Sequence, residues 1–162
     1  MSDKLWLKSD DKSGDPRLAC SMPIKLLSEH AKVPTLASDL AAAYDIYAAE
    51  DAIVPAHGTV TVSTGIAMAI PEGYFGAIYP RSGLANRYTI RLTNCVGVID
   101  ADYRGEWKVM LFNDSDVEYP VLTGDRIAQV IFQRYEHVDF ILTDSLDTTK
   151  RGSNGFGSTG KN

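Results

Sequence analysis

Apolar residues recur at every second position over several short stretches of this chain, and that period sets the fold class. Val60 and Val62, then Ile66, Met68 and Ile70, alternate with smaller or polar residues, as the inward side of a half-buried strand does. Pro71-Glu72-Gly73 breaks the run as a turn, and Tyr74 to Tyr79 reads as the returning strand. Trp107 to Phe112 is a third strand, closed by Asn113-Asp114-Ser115-Asp116. Val117 to Leu122 is a fourth, which Pro120 confines to an edge or a short piece because proline cannot donate to a ladder. Gly124-Asp125 turns the chain into Ile127 to Phe132, and Val138 to Leu142 follows. Short strands separated by turn signals predict an all-β sandwich, barrel or jelly roll. Two stretches have helical character, Leu36 to Ala43 and Ser82 to Tyr88.

The length of 162 residues fits one domain, and 44% hydrophobic content supplies a core without a metal or disulfide framework. Cys20 and Cys95 stand far apart and read as two reduced thiols. The formal charge of −5, with basic residues scattered among more numerous acids, argues against nucleic acid as the main partner. A small anionic ligand stays open, because a few arginines at one place outweigh the global charge locally. The first twenty residues carry no apolar signal region, and no apolar run is long enough to cross a bilayer. The expectation is a soluble intracellular protein of cytoplasm or nucleus, with no membrane partner. Residues 1–21 read as a polar leader, 22–150 as the β domain and 151–162 as a Gly-rich tail with one aromatic, Phe156.

His30, His57 and His137 lack metal-site spacing, and neither GxSxG nor GxxxxGK[ST] occurs. What remains is five segments dense in Gly, Asp, Arg and Ser. They are Ala43-Tyr44-Asp45, Pro80 to Ala85, Asn94 to Gly105, Gly124 to Gln129, and the tail from Arg151. Read as loops between strands, they suit a nucleoside triphosphate. Arginine forks match phosphate oxygens, and Ser-Gly turns offer hydroxyl and amide donors. A carboxylate can orient an attacking water, and Phe and Tyr offer faces to a base and a sugar. Singly, each segment is an ordinary turn; the combination and its order carry the information.

From about Ile24 to the C-terminus these five segments resemble, in order and spacing, the five motifs of the trimeric dUTPase family. Three strings carry most of the specificity: Pro80-Arg-Ser-Gly-Leu-Ala85, Gly97-Val-Ile-Asp-Ala-Asp-Tyr-Arg-Gly105, and Arg151-Gly-Ser-Asn-Gly-Phe-Gly-Ser-Thr-Gly160. The resemblance implies a jelly-roll-like β subunit of a homotrimer, with active sites at subunit interfaces and a flexible Gly-rich C-terminal arm. It implies hydrolysis of dUTP to dUMP and pyrophosphate, which keeps uracil out of DNA and supplies dUMP for thymidylate synthesis. Asp100 matches the carboxylate that aims water at the α-phosphorus. Tyr103 matches the ring that packs under the deoxyribose and excludes a 2′-hydroxyl. Asn94, Gly97, Val98 and Ile99 fall in or beside the hairpin that reads uracil. Arg81, Ser82, Gly83 and Gln129 match phosphate contacts, and Lys108 stands where some relatives touch the nucleotide. Arg151, Phe156, Gly157 and Ser158 match a lid in which Arg151 pairs with the γ-phosphate and Phe156 lies on the uracil. Magnesium is the implied cofactor, with Asp45 as its contact through water.

Three family glycines are replaced, by Ala43, Thr89 and Asn154. Ala43 suits its place if φ stays negative there, and Asn tolerates the left-handed region better than other non-glycines. Two rivals remain. A dCTP deaminase of related fold would need a differently placed glutamate, for which Glu106 is the nearest candidate. A regulatory binding protein could use the same fold, with the leader as its contact.

Overall fold

Twelve strands and one short helix make up residues 20–155, the part that the computed structural model describes. In chain order the first six strands are β1 (Ile24–Leu26), β2 (Thr35–Leu36), β3 (Tyr44–Tyr47), β4 (Ala52–Val54), β5 (Thr59–Ser63) and β6 (Ile66–Met68). There follow β7 (Tyr74–Tyr79), the helix α1 (Ser82–Tyr88), β8 (Ile90–Leu92) and β9 (Gly97–Ile99). The last three are β10 (Lys108–Asn113), β11 (Tyr119–Val121) and β12 (Arg126–Arg134). The chain is all-β, as the period-2 pattern predicts. Among the described residues no helix is long and apolar enough to cross a membrane.

Strand β10 shows why the pattern works. Val109, Leu111 and Asn113 are buried while Lys108 and Met110 face out. It pairs antiparallel with β5 on one side and β8 on the other. A five-stranded antiparallel sheet, in the order β2-β3-β12-β7-β9, contributes the other half of the core. Ile46, Ile78, Ala128 and Val130 from this sheet share one apolar cluster with Val62, Leu92, Val109 and Leu111 from the first. Trp107 is wholly buried in the same cluster. Each large aliphatic side chain buried here contributes roughly 1.5–3 kcal/mol. Asn113 is buried with its amide fully used. Its Nδ2 donates to the carbonyls of Val54 and Val117, and its Oδ1 accepts from the amide and hydroxyl of Ser115.

Several expectations are corrected. The run from Val60 to Ile70 is two strands in two sheets, split at Thr64-Gly65. Gly65 takes φ +65 at this corner, and a Cβ there would run into Ala31 and Ser28. Leu36 to Ala43 is not helical: beyond β2 it is bends and turns, and Leu40 is 93% exposed. An Ala-rich run with no face to bury has too little to offset helix nucleation. Val138 to Leu142 forms no strand, having no neighbour to pair with among the described residues. Pro120 does lie on a two-stranded edge, β11 with β4. The Ser82–Tyr88 helix forms, ending at Thr89 with φ 55 and ψ 28. The expected leader lies outside the described residues up to residue 19, as do Phe156, Gly157 and Ser158 of the tail.

Candidate functional site

Three of the five motifs meet because of register. Asp45 on β3 lies opposite Gln129 on β12, and Gln129 lies opposite Tyr79 on β7. Residues opposite one another point to the same face. Their neighbours Ile46, Val130 and Ile78 point into the core, so Asp45, Gln129 and Tyr79 project from the outer face. A bulge sets this register. Arg126 pairs with Tyr47 and Ala128 with Ile46, which leaves Ile127 as the extra residue. Tyr44-Asp45 and Arg126 to Gln129 are therefore strand, not loop, while Ala43 stays in the bend before β3, which corrects the sequence reading.

Asp45 organises this end. Only 6% exposed, it receives Arg81 Nε on Oδ1 at 2.9 Å and Arg126 Nη1 on Oδ2 at 3.0 Å. Arg81 Nη1 also donates to the Arg126 carbonyl at 3.0 Å. Gln129 Nε2 donates to the Pro80 carbonyl at 2.9 Å, which ties β12 to the residue before Arg81. Ser82 and Gly83 then open α1, both exposed. No Cβ clash restricts Gly83. Beneath the arginines, burial foremost, then the charges of Asp125 and Tyr88, hold the Tyr119 hydroxyl above its ordinary pKa. It stays a neutral donor in a small cavity that it shares with Arg81 and Arg126.

A second cluster forms around Asp100. Val98, Ile99, Asp100, Tyr103, Glu106 and Lys108 line a cavity of about 580 Å³, with Trp107 as its remaining wall. The turn after β9 is closed by the Tyr103 amide donating to the Asp100 carbonyl at 3.2 Å. Asp100 and Tyr103 are both exposed on it. Tyr103 Oη donates to the Glu106 carbonyl at 3.0 Å. Lys108 Nζ lies 3.7 Å from Glu106 Oε2, and Glu106 Oε1 accepts from the Gly65 amide at 3.0 Å. The glutamate that the deaminase reading needs is thus committed to the backbone and to a lysine. The segment Asn94 to Val96 is not the tip of a two-stranded hairpin. Strand β8 pairs with β10 and β9 with β7, so the segment crosses between sheets with Asn94 and Cys95 exposed. Gly97 fits close to Ile78, where a Cβ would sit 3.3 Å away.

The two clusters stand at opposite ends of β7. Ile99 pairs with Gly76, whereas Arg81 follows five residues later. At about 3.3 Å per residue they are separated by roughly 16 Å along the strand. The described part of the tail lines neither cavity. Arg151 is exposed in a local turn, its Nε donating to the Asn154 carbonyl at 3.2 Å, with Gly152 at φ 52. Among the described non-glycine residues, positive φ occurs at His57 and Thr89. Ala43 therefore meets its condition, Asn154 does not use the left-handed region here, and Thr89 does.

Among the described residues no group of three or more His, Cys, Asp or Glu could hold a metal ion. Both oxygens of Asp45 are engaged by arginines, which gives this residue a positioning role in the structure. The sequence reading missed Arg126 as a partner of Asp45. The available signal was a carboxylate on an alternating strand, which stays charged under cover only beside a cation.

A profile of the dUTPase family matches residues 29–160. The probable deoxyuridine 5′-triphosphate nucleotidohydrolase of Schizosaccharomyces pombe is 53% identical over 137 residues, covering 85% of this chain and 96% of that one. The deoxyuridine 5′-triphosphate nucleotidohydrolase of Candida albicans is 50% identical over 144 residues, covering 88% and 89%. A solved Staphylococcus bacteriophage 80alpha dUTPase with dUpNHpp has TM-score 0.81 and 27% identity, covering 86% of this chain and 98% of that one. With four of the five motifs placed on this β framework and most of its length matched by these relatives, the chain belongs to the dUTPase family.

Proposed function

We propose that the chain hydrolyses dUTP to dUMP and pyrophosphate at a site that joins the Asp100 cavity to the Arg81 cluster of another copy. The observation that carries this reading is the turn presenting Asp100 and Tyr103 side by side in one cavity with Lys108. Asp100 accepts a hydrogen bond from a water and aims its oxygen at the α-phosphorus. As the new P–O bond forms, the bond to the bridging oxygen breaks and pyrophosphate leaves with its electron pair. The water's proton passes to the Asp100 carboxylate. Tyr103 lies under the deoxyribose, and backbone groups from Asn94 to Val98 read the uracil, with Val98 and Ile99 lining the cavity and Gly97 next to them in sequence.

Arg81, Ser82, Gly83 and Gln129 bind the phosphates. Because Asp100 and Arg81 stand at opposite ends of β7, one chain does not bring both to a single phosphorus. A homotrimer with sites between copies resolves that separation. The segment from Val138 to Leu146 supports it, with Phe140 87%, Ile141 83% and Leu142 100% exposed. Apolar residues exposed to that degree in sequence call for cover by a neighbouring chain. Arg151, Phe156, Gly157 and Ser158 then close over the nucleotide as a lid that excludes water.

Magnesium fits as an ion brought by the triphosphate, since it favours phosphate oxygens and water plus one or two carboxylates over an all-protein cage. Asp45 would meet it through water from the outer face. When bound, it neutralises charge on the departing pyrophosphate. Pyrophosphate release measured on dUTP, UTP, dTTP and dCTP with magnesium tests the reading. Release from dUTP above the others is expected. An idle enzyme on dUTP sinks it, and ammonia from dCTP moves the chain to the deaminase.

A further inference from the structure

We propose that Gly105 is a specificity-positioning residue: its missing side chain is the slot that fixes the height of the Tyr103 ring. This rests on Tyr103 as the sugar platform. Tyr103 is held at both ends, its backbone amide on the Asp100 carbonyl at 3.2 Å and its ring hydroxyl Oη on the Glu106 carbonyl at 3.0 Å. Between those anchors the ring folds back over Gly105. A Cβ on Gly105 would lie 2.6 Å from Tyr103 Cζ and 3.0 Å from Cε2, with Oη in contact as well. Real Cβ atoms essentially never approach that closely. Backbone strain is not the reason for glycine here. Among the described residues the glycines with positive φ are Gly65, Gly73, Gly124 and Gly152, and Gly105 is not among them. The space under the ring is therefore what position 105 provides.

The receiving end is anchored too. Glu106 is held through Oε1 by the Gly65 amide at 3.0 Å, and Gly65 itself sits at the left-handed corner between β5 and β6. The Glu106 carbonyl thus has little freedom to follow a displaced hydroxyl. A methyl at position 105 has to lift the ring or detach Oη from that carbonyl. Either way the floor of the sugar space moves, while Asp100, fastened by the backbone of its turn, stays where it is. The consequence falls on substrate fit more than on the chemical step.

The test is a double-mutant cycle of Gly105→Ala and Tyr103→Ala, with KM and kcat measured on dUTP and UTP. One misplaced methyl in a fitted pocket is worth roughly 10–200-fold in discrimination. Gly105→Ala is expected to raise KM for dUTP at least about ten-fold and to change the dUTP-to-UTP ratio, with kcat altered less. In the Tyr103→Ala background the same methyl meets no ring, so its effect is expected to vanish. An equal effect in both backgrounds, or unaltered kinetics for Gly105→Ala alone, overturns the proposal. If Gly105→Ala does not fold, recovery of folding in the double variant supports the same contact, and failure to recover overturns it. If Tyr103→Ala itself leaves the sugar preference unchanged, the platform reading falls; the dUTP KM cycle still decides whether Gly105 acts through the ring.

Discussion

Arg81 directs its Nε to Asp45 at 2.9 Å, so that a residue after β7 is aimed by a carboxylate two strands away on β3. The intervening strand, β12, adds Arg126 on the second oxygen and Gln129 on the Pro80 carbonyl. Asp45→Asn keeps the shape and removes the charge. Hydrogen bonds to charged groups contribute about 1.5–3 kcal/mol, and Arg126 is half exposed, so a loss of about 1–3 kcal/mol is expected in chemical denaturation. The freed Arg81 should raise KM for dUTP more than it lowers kcat. Unchanged stability together with unchanged KM would show that the pairings do not position Arg81.

Thr89 caps α1 with its amide on the Ala85 carbonyl at 3.1 Å, in the left-handed region at φ 55. A β-branched residue there is strained by roughly 1–2 kcal/mol, and glycine removes the strain at some entropic cost. Thr89→Gly is expected to stabilise the protein by about 0.5–1 kcal/mol, which is an increase of a few degrees in Tm. Its hydroxyl bond to the Tyr88 carbonyl is exposed and adds little. A fall in Tm would mean that this bond, or the unfolded chain's freedom, outweighs the strain.

Alternation made the strands legible where one face meets the core, as at Val109 and Leu111, because burial and period coincide there. It failed at Val138 to Leu142, where the apolar residues pair with none of the described strands, so pattern alone promised a ladder that does not form. It also failed at Thr64-Gly65, since continuous alternation says nothing about a change of sheet. The Asp100 string was legible as a motif, and its turn and cavity follow from local hydrogen bonds. The Asp45–Arg126 pairing depends on a bulge at Ile127, and a one-residue register shift between distant strands leaves no mark in the sequence of either.

Ser63 holds the turn after β3 against β5 by bonds to both Glu50 and Ala49. The Ser63 amide donates to Glu50 Oε1 at 2.7 Å, and the Ala49 amide donates to the Ser63 carbonyl at 2.9 Å. The Ser63 backbone bond foremost holds the Glu50 carboxyl below its ordinary 4.5. A lowered folded-state pKa means that the unfolded chain takes up the proton first as pH falls. The contribution is therefore complete above the ordinary value and fades as pH drops through the folded one. Denaturation midpoints of wild type and Glu50→Gln, followed from neutral pH into acid, should converge. A gap that persists at low pH would assign the difference to packing instead.

Deleting residues 151–162 removes Arg151 and the rest of the proposed lid but none of the described strands, which end at Arg134. Far-UV circular dichroism and Tm should stay near wild type, while turnover of dUTP falls by at least about 10²-fold, the scale on which misplaced positioning groups act. A truncated enzyme that turns over at the full rate removes the lid from the mechanism.

Asp100→Asn separates holding the water from holding the nucleotide. The amide keeps the size and one acceptor oxygen, but it does not take the proton, so a loss of about 10²–10⁴-fold in kcat is expected. Affinity for a non-hydrolysable dUTP analogue should change little, because the cavity's other walls, Val98, Ile99, Tyr103 and Lys108, remain. The turn should also persist, since it is closed by the Asp100 carbonyl and the Tyr103 amide rather than by the side chain. Equal losses in analogue binding and in turnover would make Asp100 a binding residue and leave the attacking water without its base.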